Sequence, residues 1–242
     1  MSVNANSVLI KSLPSNLTSS DYLESAKEQH RWSPYNVNEG TALAIAGSNF
    51  ALVCGDTRMS DGYTILSRDQ PKIYQLTDKC VLSSAGMQAD AITLRKVLKI
   101  RLTQYKQKHS HSMTTPAIAQ LLSNTLYYKR FFPYYTFNVL GGLDEEGKGA
   151  VYGYDAIGSF ERIPYGVTGS ASSLITSILD NQIEFKTALK MKRELNLEET
   201  IDLVKDVFTS AGERDIYTGD TVNIAIITKD GVKIENFPLK KD

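Results

Sequence analysis

The chain has 242 residues, 42% of them hydrophobic and 22% charged, ordinary values for a globular protein. Its 27 Lys and Arg balance its 27 Asp and Glu, which argues against a basic field for holding nucleic acid. No apolar run approaches the roughly 20 residues of a membrane helix, and the polar first stretch, MSVNANSVLIKSLPSNLTSSD, is too weak for a secretory signal.

Residues 1–30 are rich in Ser and Asn and show no periodicity; they read as a flexible leader or propeptide ahead of one domain over 31–242. Asn16-Leu17-Thr18 matches a glycosylation sequon, a chance match in a chain without a secretion signal. Order is expected to begin near RWSPY (31–35), where large side chains appear. From Thr41 the pattern alternates: TALAIA (41–46) and FALVCGD (50–56) flank Gly47-Ser48-Asn49, a hairpin turn. YTILS (63–67), KIYQL (72–76) and CVLSSAG (80–86) follow, so the chain is expected to open with a five-stranded β-meander. Cys54 and Cys80 sit in apolar strand runs and read as buried free thiols.

A helix of about twenty residues is expected from Gln88, with Ala91, Leu94, Leu98, Leu102 and Tyr105 on one stripe and Arg95, Lys96 and Lys99 off it. After the polar KQKHSHSM, Thr115 reads as the N-cap of a second helix with Pro116 at its first position, and Ile118, Leu121, Leu122 and Thr125 share a face. His109 and His111 lie in the polar loop and His30 in the leader, none beside an acidic or thiol partner, so no metal site is expected. The aromatic run Tyr127–Tyr135 reads as core or subunit interface. Strands resume at TFNVLGGLD (136–144), AVYGYD (150–155) and SFERI (159–163). SASSLITSILDNQ (170–182) reads as a helix with Ser170 near its N-cap. LEETIDLVKDVFTSA (197–211) is a fourth helix, with Asn196 and Glu199 as a capping box. TVNIAIIT (221–228) and VKIENF (232–237) finish the chain. Hairpin connections imply antiparallel sheets, and burying every stripe requires an α+β fold: a four-layer αββα sandwich of two antiparallel sheets flanked by helices.

This order of elements, with GTALAIAG, GDTR (55–58), PKI (71–73), GGLDEEGKGAVY (141–152) and RDIYTGD (214–220), resembles the β-type subunits of the 20S proteasome, which are N-terminal nucleophile hydrolases. The resemblance runs over 31–242, and HRWSPYNVNEGTALAIAG, RFFPYY and GGLDEEGKGAVY are most similar to a non-catalytic member. An active member begins its mature chain with a threonine whose hydroxyl attacks the peptide and whose own α-amine takes the proton. By the resemblance, an aspartate sits sixteen residues beyond that threonine and a lysine thirty-two beyond. Asp56 and Lys72 land on those places when Gly40 is position one, and Gly40 has no hydroxyl. Thr41, one residue along a strand, is expected to face the other way.

The rest of the family's constellation falls on Ser170, Asp215 and Thr218, the last in place of the usual serine. Residue chemistry alone offers plainer roles: Ser170 as a helix cap, Asp56 with Lys72 as a buried ion pair orienting the first hairpin. The resemblance therefore implies a non-catalytic subunit with no catalytic residue and no cofactor. It would be built into a β-ring beside neighbouring β subunits, an α subunit of the adjacent ring and β subunits of the opposite ring. It implies no nucleic acid or membrane partner, and residence in cytoplasm and nucleus. The leader would be trimmed near His30-Arg31 by an active neighbour, leaving nine residues before Gly40. The alternatives are a threonine-type peptidase using Thr41 and, more remotely, a free-standing binding protein on this fold.

Overall fold

A computed structural model of the protein describes residues 33–186 and 193–241. The leader over 1–30, with its sequon and His30, lies outside the described residues, so the reading of that segment stays an expectation. Tyr35–Asp242 forms a compact unit.

Within it the chain makes two five-stranded antiparallel sheets. In the first, β10 (Tyr165–Gly169), β1 (Thr41–Ala46), β2 (Ala51–Asp56), β11 (Thr221–Thr228) and β12 (Gly231–Pro238) lie side by side in that order. In the second the order is β5 (Ile73–Thr77), β6 (Cys80–Gly86), β7 (Thr136–Leu143), β8 (Gly149–Tyr154) and β9 (Phe160–Ile163). A separate ribbon pairs β3 (Met59–Asp61) with β4 (Thr64–Ser67). Among the described residues, four helices cover the sheets: α1 (Gln88–His109), α2 (Thr115–Tyr127), α3 (Ser172–Gln182) and α4 (Leu197–Gly212).

The expected four layers are present, because three separate cores are buried between them. Leu43, Ile45, Leu52 and Ile224 on the outer face of the first sheet pack under Ile175 and Leu179 of α3 and Val204 and Phe208 of α4. Leu82, Leu140 and Tyr152 on the outer face of the second sheet pack under Leu94 and Leu98 of α1 and Ile118 and Leu122 of α2. Between the sheets lie mainly smaller side chains, Ala44, Ala51, Val53, Val81, Val139 and Val151, with Ile73, Leu143 and Ile227 among them. Strand side chains alternate between faces, so β1 puts Ala44 inward and Leu43 and Ile45 outward. Small inward residues let the sheets approach closely. Gly141 marks the limit, since a Cβ there would sit 2.4 Å from Val53 Cγ2.

Several sequence expectations need correction. The opening strands are not a meander. β2 is hydrogen-bonded on one side to β1 and on the other to β11, so both its edges are taken and the chain must leave for the second sheet. The partner β11 lies far along the chain, which no local pattern reveals. β10, YGVTG, is missing from the expectation because its two glycines and short length give little strand signal. It nevertheless pairs along β1, Thr41 opposite Gly169. Thr115 is the first residue of α2, not its cap; its hydroxyl donates to Leu143 O (2.6 Å), and the cap position is Thr114. Ser170 does not cap α3 either, which starts at Ser172. Arg95 is buried rather than displayed off the helix stripe. The capping box at Asn196 and Glu199 forms as read, each residue bonding the other's backbone amide. Cys54 and Cys80 are buried and unbridged, and burial pushes both thiols far up.

Candidate functional site

The described residues bring Gly40, Thr41, Asp56, Lys72, Ser170, Asp215 and Thr218 into one neighbourhood, at the end of the first sheet where β1 begins. Gly40 has φ +85° and follows Glu39 at φ 50°, so the chain turns sharply into β1 through two left-handed residues. β2 delivers Asp56 at its last position and Lys72 stands just before β5, so the site joins the two sheets.

Asp56 is fully buried and paired with Lys72, Oδ1 to Nζ 3.0 Å. The same carboxylate accepts the Thr41 amide at 2.8 Å and those of Arg58 and Gly219 at 3.3 Å. Burial pushes the Asp56 carboxyl above the usual carboxylate range, against the downward pull of the Lys72 charge and of the Thr41 and Gly219 amides. Lys72 also donates to Asp56 O (3.2 Å) and Arg58 O (2.5 Å), so the three protons of its ammonium each have an acceptor. Its head fills the space beside Gly40. A Cβ on Gly40 would lie 2.3 Å from Lys72 Cε, 2.4 Å from Nζ and 2.9 Å from Asp56 Oδ1.

Thr41 looks the other way. Its hydroxyl accepts the Ala171 amide (3.1 Å) and lies 2.7 Å from Thr218 Oγ1. The Thr218 hydroxyl donates to Asp215 Oδ2 at 2.6 Å, so the proton between the two threonines belongs to Thr41. Ser170 donates to the same Asp215 oxygen at 2.6 Å, and its amide holds Gly40 O at 3.0 Å. The result is a continuous run of hydrogen bonds from the start of α3 through Thr41 and Thr218 to Asp215. Each hydroxyl in it already has a partner, and Thr41 is fully buried. Its backbone amide is committed to Asp56. Glu39 stands at the rim, its carboxyl raised by burial and by the nearby Asp215 charge.

Immediately upstream, Asn38 occupies the groove beside these residues. Its amide donates to Gly86 O (3.1 Å), its carbonyl accepts the Ser60 amide (3.4 Å) and its side-chain oxygen accepts the first amide of α1, at Gln88 (2.9 Å). The space left between Asn38, Lys72, Ser84 and Gln88 is about 10 Å³, the volume of one water centre.

Sequence reasoning missed several supports of this site. Arg95 reaches from α1 to the Lys72 carbonyl (3.0 Å), anchoring the backbone that carries the lysine; burial lowers its guanidinium pKa. Its place one residue after the buried Leu94 gave no signal. Gly169, φ +99°, allows β10 to approach, since a Cβ there would stand 1.9 Å from Gly40 O. Arg58 and Asp220, both buried, pair at 2.8 Å, with Arg68 on the other Asp220 oxygen at 2.6 Å. Both residues lay inside motifs already singled out, GDTR and RDIYTGD, without a role assigned. His109 and His111 are not brought to this site; their rings gather on Tyr105 at the exposed end of α1. Among the described residues, no three His, Cys, Asp or Glu side chains are placed to hold a metal ion.

Comparison with known proteins adds independent support. Residues 37–227 match the family described as proteasome subunit. The chain is 56% identical over 221 residues to proteasome subunit beta type-1 of Arabidopsis thaliana, covering 89% of this chain and 99% of that protein. It is 52% identical over 223 residues to proteasome subunit beta type-1-B of Carassius auratus, covering 92% and 94%. Against the probable proteasome subunit beta type-6 of Schizosaccharomyces pombe it is 42% identical over 223 residues, covering 88% and 99%.

Proposed function

The chain belongs to the proteasome subunit family, and from that premise we propose that it is a structural β subunit of the 20S core that performs no peptide hydrolysis itself. Its relatives of the beta type-1 kind make it a β-ring component of a threonine-type peptidase complex that assembles with other proteasome subunits. The finer reading has it hold one place in each β-ring, against neighbouring β subunits, an α subunit of the adjacent ring and β subunits of the opposite ring. Its expected residence is cytoplasm and nucleus, which cell fractionation against the assembled core would test.

One observation carries the non-catalytic reading: the position where the nucleophile should stand is Gly40, and the Lys72 head occupies the room a side chain would need. A threonine-type attack requires an oxygen beside the lysine and a free amine on the same residue. Thr41 supplies no oxygen beside the lysine in this geometry, because its hydroxyl is bound to Thr218 and Ala171. Misplacement of reacting groups by about 1 Å already costs on the order of 100-fold in rate. The retained Asp56, Lys72, Ser170, Asp215 and Thr218 then serve to fasten the entrance of β1 to β2, β5 and α3.

Intact-mass analysis of the chain from native complexes tests this. The expected mature N-terminus lies upstream of Gly40, and an epoxyketone probe leaves the chain unmodified. A chain beginning at Thr41 and carrying the probe would overturn the proposal.

A further inference from the structure

Two Asp-Gly pairs occur in the chain, Asp61-Gly62 and Asp230-Gly231. Each stands at the tip of a hairpin, and both aspartates are exposed. Aspartate before glycine carries a latent reaction: the glycine amide nitrogen attacks the Asp side-chain carbon Cγ, with no Cβ on the glycine to shield it. The fold treats the two pairs differently. Asp61 faces Thr64 in the closing pair of the β3–β4 hairpin, so Gly62 and Tyr63 form the turn itself. Gly62 has φ 54°, nothing lies within 4 Å of the place its Cβ would take, and its amide donates to none of the described residues. In the β11–β12 hairpin the turn is Lys229-Asp230, and Gly231 belongs to the closing pair, opposite Thr228. The closing pair of a two-residue hairpin exchanges hydrogen bonds, so the Gly231 amide is engaged.

Asp61 also ends the strand that fastens the arm ahead of β1. Its Oδ2 accepts Asn36 Nδ2 at 3.1 Å. One residue earlier, the Ser60 amide donates to Asn38 O (3.4 Å) and Ser60 O accepts Asn38 Nδ2 (3.3 Å). Three of the bonds that hold residues 36–38 in place therefore run to the last two residues of β3.

We propose that Asp61-Gly62 is a site of spontaneous backbone isomerisation, which converts Asp61 to an isoaspartyl residue and loosens the arm over 36–38. The Gly62 nitrogen bonds to Asp61 Cγ, and one carboxyl oxygen leaves as water, taking the amide proton and the acid proton. A five-membered cyclic imide remains. Water then adds to one of its two carbonyls. Breaking the new bond restores aspartate. Breaking the original peptide bond leaves the main chain running through Cβ and Cγ, with the former main-chain carbonyl as a free carboxylate. Water is the only co-reactant, and the product has the mass of the starting chain. The main chain is then one carbon longer and the carboxylate has lost its methylene, so Asn36 loses its partner and β3 its register with β4. The inference goes beyond the assembly reading and does not rest on it.

The test ages the full folded chain in neutral buffer for weeks and then maps its peptides by electron-transfer fragmentation, which tells isoaspartate from aspartate. Isoaspartate should accumulate at residue 61 about fivefold faster than at residue 230, the factor by which one net hydrogen bond protects the Gly231 amide. In urea, where neither amide is held, the two rates should converge. Asp61→Glu should abolish the species at 61 and leave the slow one at 230 unchanged, because its imide ring would need six members. Hydrogen exchange on chains enriched in isoaspartate should show the Asn38 and Ser60 amides opening about fivefold more readily. Absence of isoaspartate at 61 would overturn the proposal, and so would equal rates at the two sites in the folded chain. A preference for 61 that persists in urea would overturn it too, by tracing the selectivity to neighbouring sequence. Unchanged exchange at Asn38 and Ser60 would refute the loosening of the arm.

Discussion

Replacing Asp56 by Ala probes what the retained constellation does. The substitution strands Lys72, whose side chain is 7% exposed, as a buried cation facing two carbonyls, and leaves the amides of Thr41, Arg58 and Gly219 without their shared acceptor. Breaking one half of a buried pair costs about 3–5 kcal/mol. Counting unsatisfied amides independently at about 1–3 kcal/mol each gives the same range once water reaches some of them. For a unit of this size about 4 kcal/mol lowers the melting temperature by roughly 8–16 °C. The assay is thermal unfolding of the full chain together with the fraction found in the large complex on native gels. Lys72→Met alone should cost a similar amount, by leaving a buried carboxylate without its cation. The double variant should cost about 2 kcal/mol less than the two singles added, because neither charge is then orphaned. An Asp56→Ala chain that melts and assembles like wild type would refute the structural role, and so would simple additivity in the double variant.

Three further outcomes are expected. Gly40→Thr should produce neither self-cleavage nor probe labelling; it should destabilise the chain by about 1–3 kcal/mol, because an L side chain at φ +85° must also displace the Lys72 head, and melting with mass spectrometry of the variant checks both. Asp220 is pushed up by burial, but hydrogen bonds from Arg58 and Arg68 outweigh this and hold it below its ordinary value of 3.8. Its contribution to stability is therefore full above that value and lost as pH falls through the lower folded one, so Asp220→Asn should be less stable than wild type at neutral pH, and the gap should narrow in urea melts below about pH 3.8. Asn196→Ala should cost about 1 kcal/mol by removing one arm of the α4 capping box, visible as a shift of the urea midpoint with unchanged slope.

The legible part of the fold was the part written in local periodicity. The stripes Leu94–Leu98 and Val204–Phe208 repeat at helical spacing, and the alternation in β1 and β11 is clean, so element types and the four layers followed from the sequence. The hidden part was set by contacts far apart in the chain. That β11 takes the free edge of β2 depends on residues some 170 positions away, and β10 becomes a strand only because β1 offers it an edge. Cap assignments failed for a related reason. Thr115 and Ser170 carry the side chains that cap helices, but distant acceptors, Leu143 O and Asp215, hold their hydroxyls instead.

That Gly40, Asp56, Lys72, Ser170, Asp215 and Thr218 gather in one place was legible by spacing, yet the physical logic of the cluster required the structure. The proposed reading of Gly40 as a missing hydroxyl would describe a loss. The geometry describes a replacement: with no side chain at position 40, Lys72 closes over the glycine and directs its three protons to Asp56 and the Arg58 carbonyl, while Asn38 fills the adjoining groove. A cation held this way is a poor promoter of any incoming nucleophile, because each bond it would offer must first be broken. It is a good fastener, since it ties the end of β2 to the start of β5 across the two sheets. Thr41 is held likewise, its amide on one sheet strand's carboxylate and its hydroxyl on Thr218 and the start of α3. The residues that would tune a nucleophile are the ones best placed to immobilise the strand that would have carried it. On the non-catalytic reading proposed above, the absence of a nucleophile at Gly40 would leave the demand for Asp56, Lys72, Ser170, Asp215 and Thr218 in place.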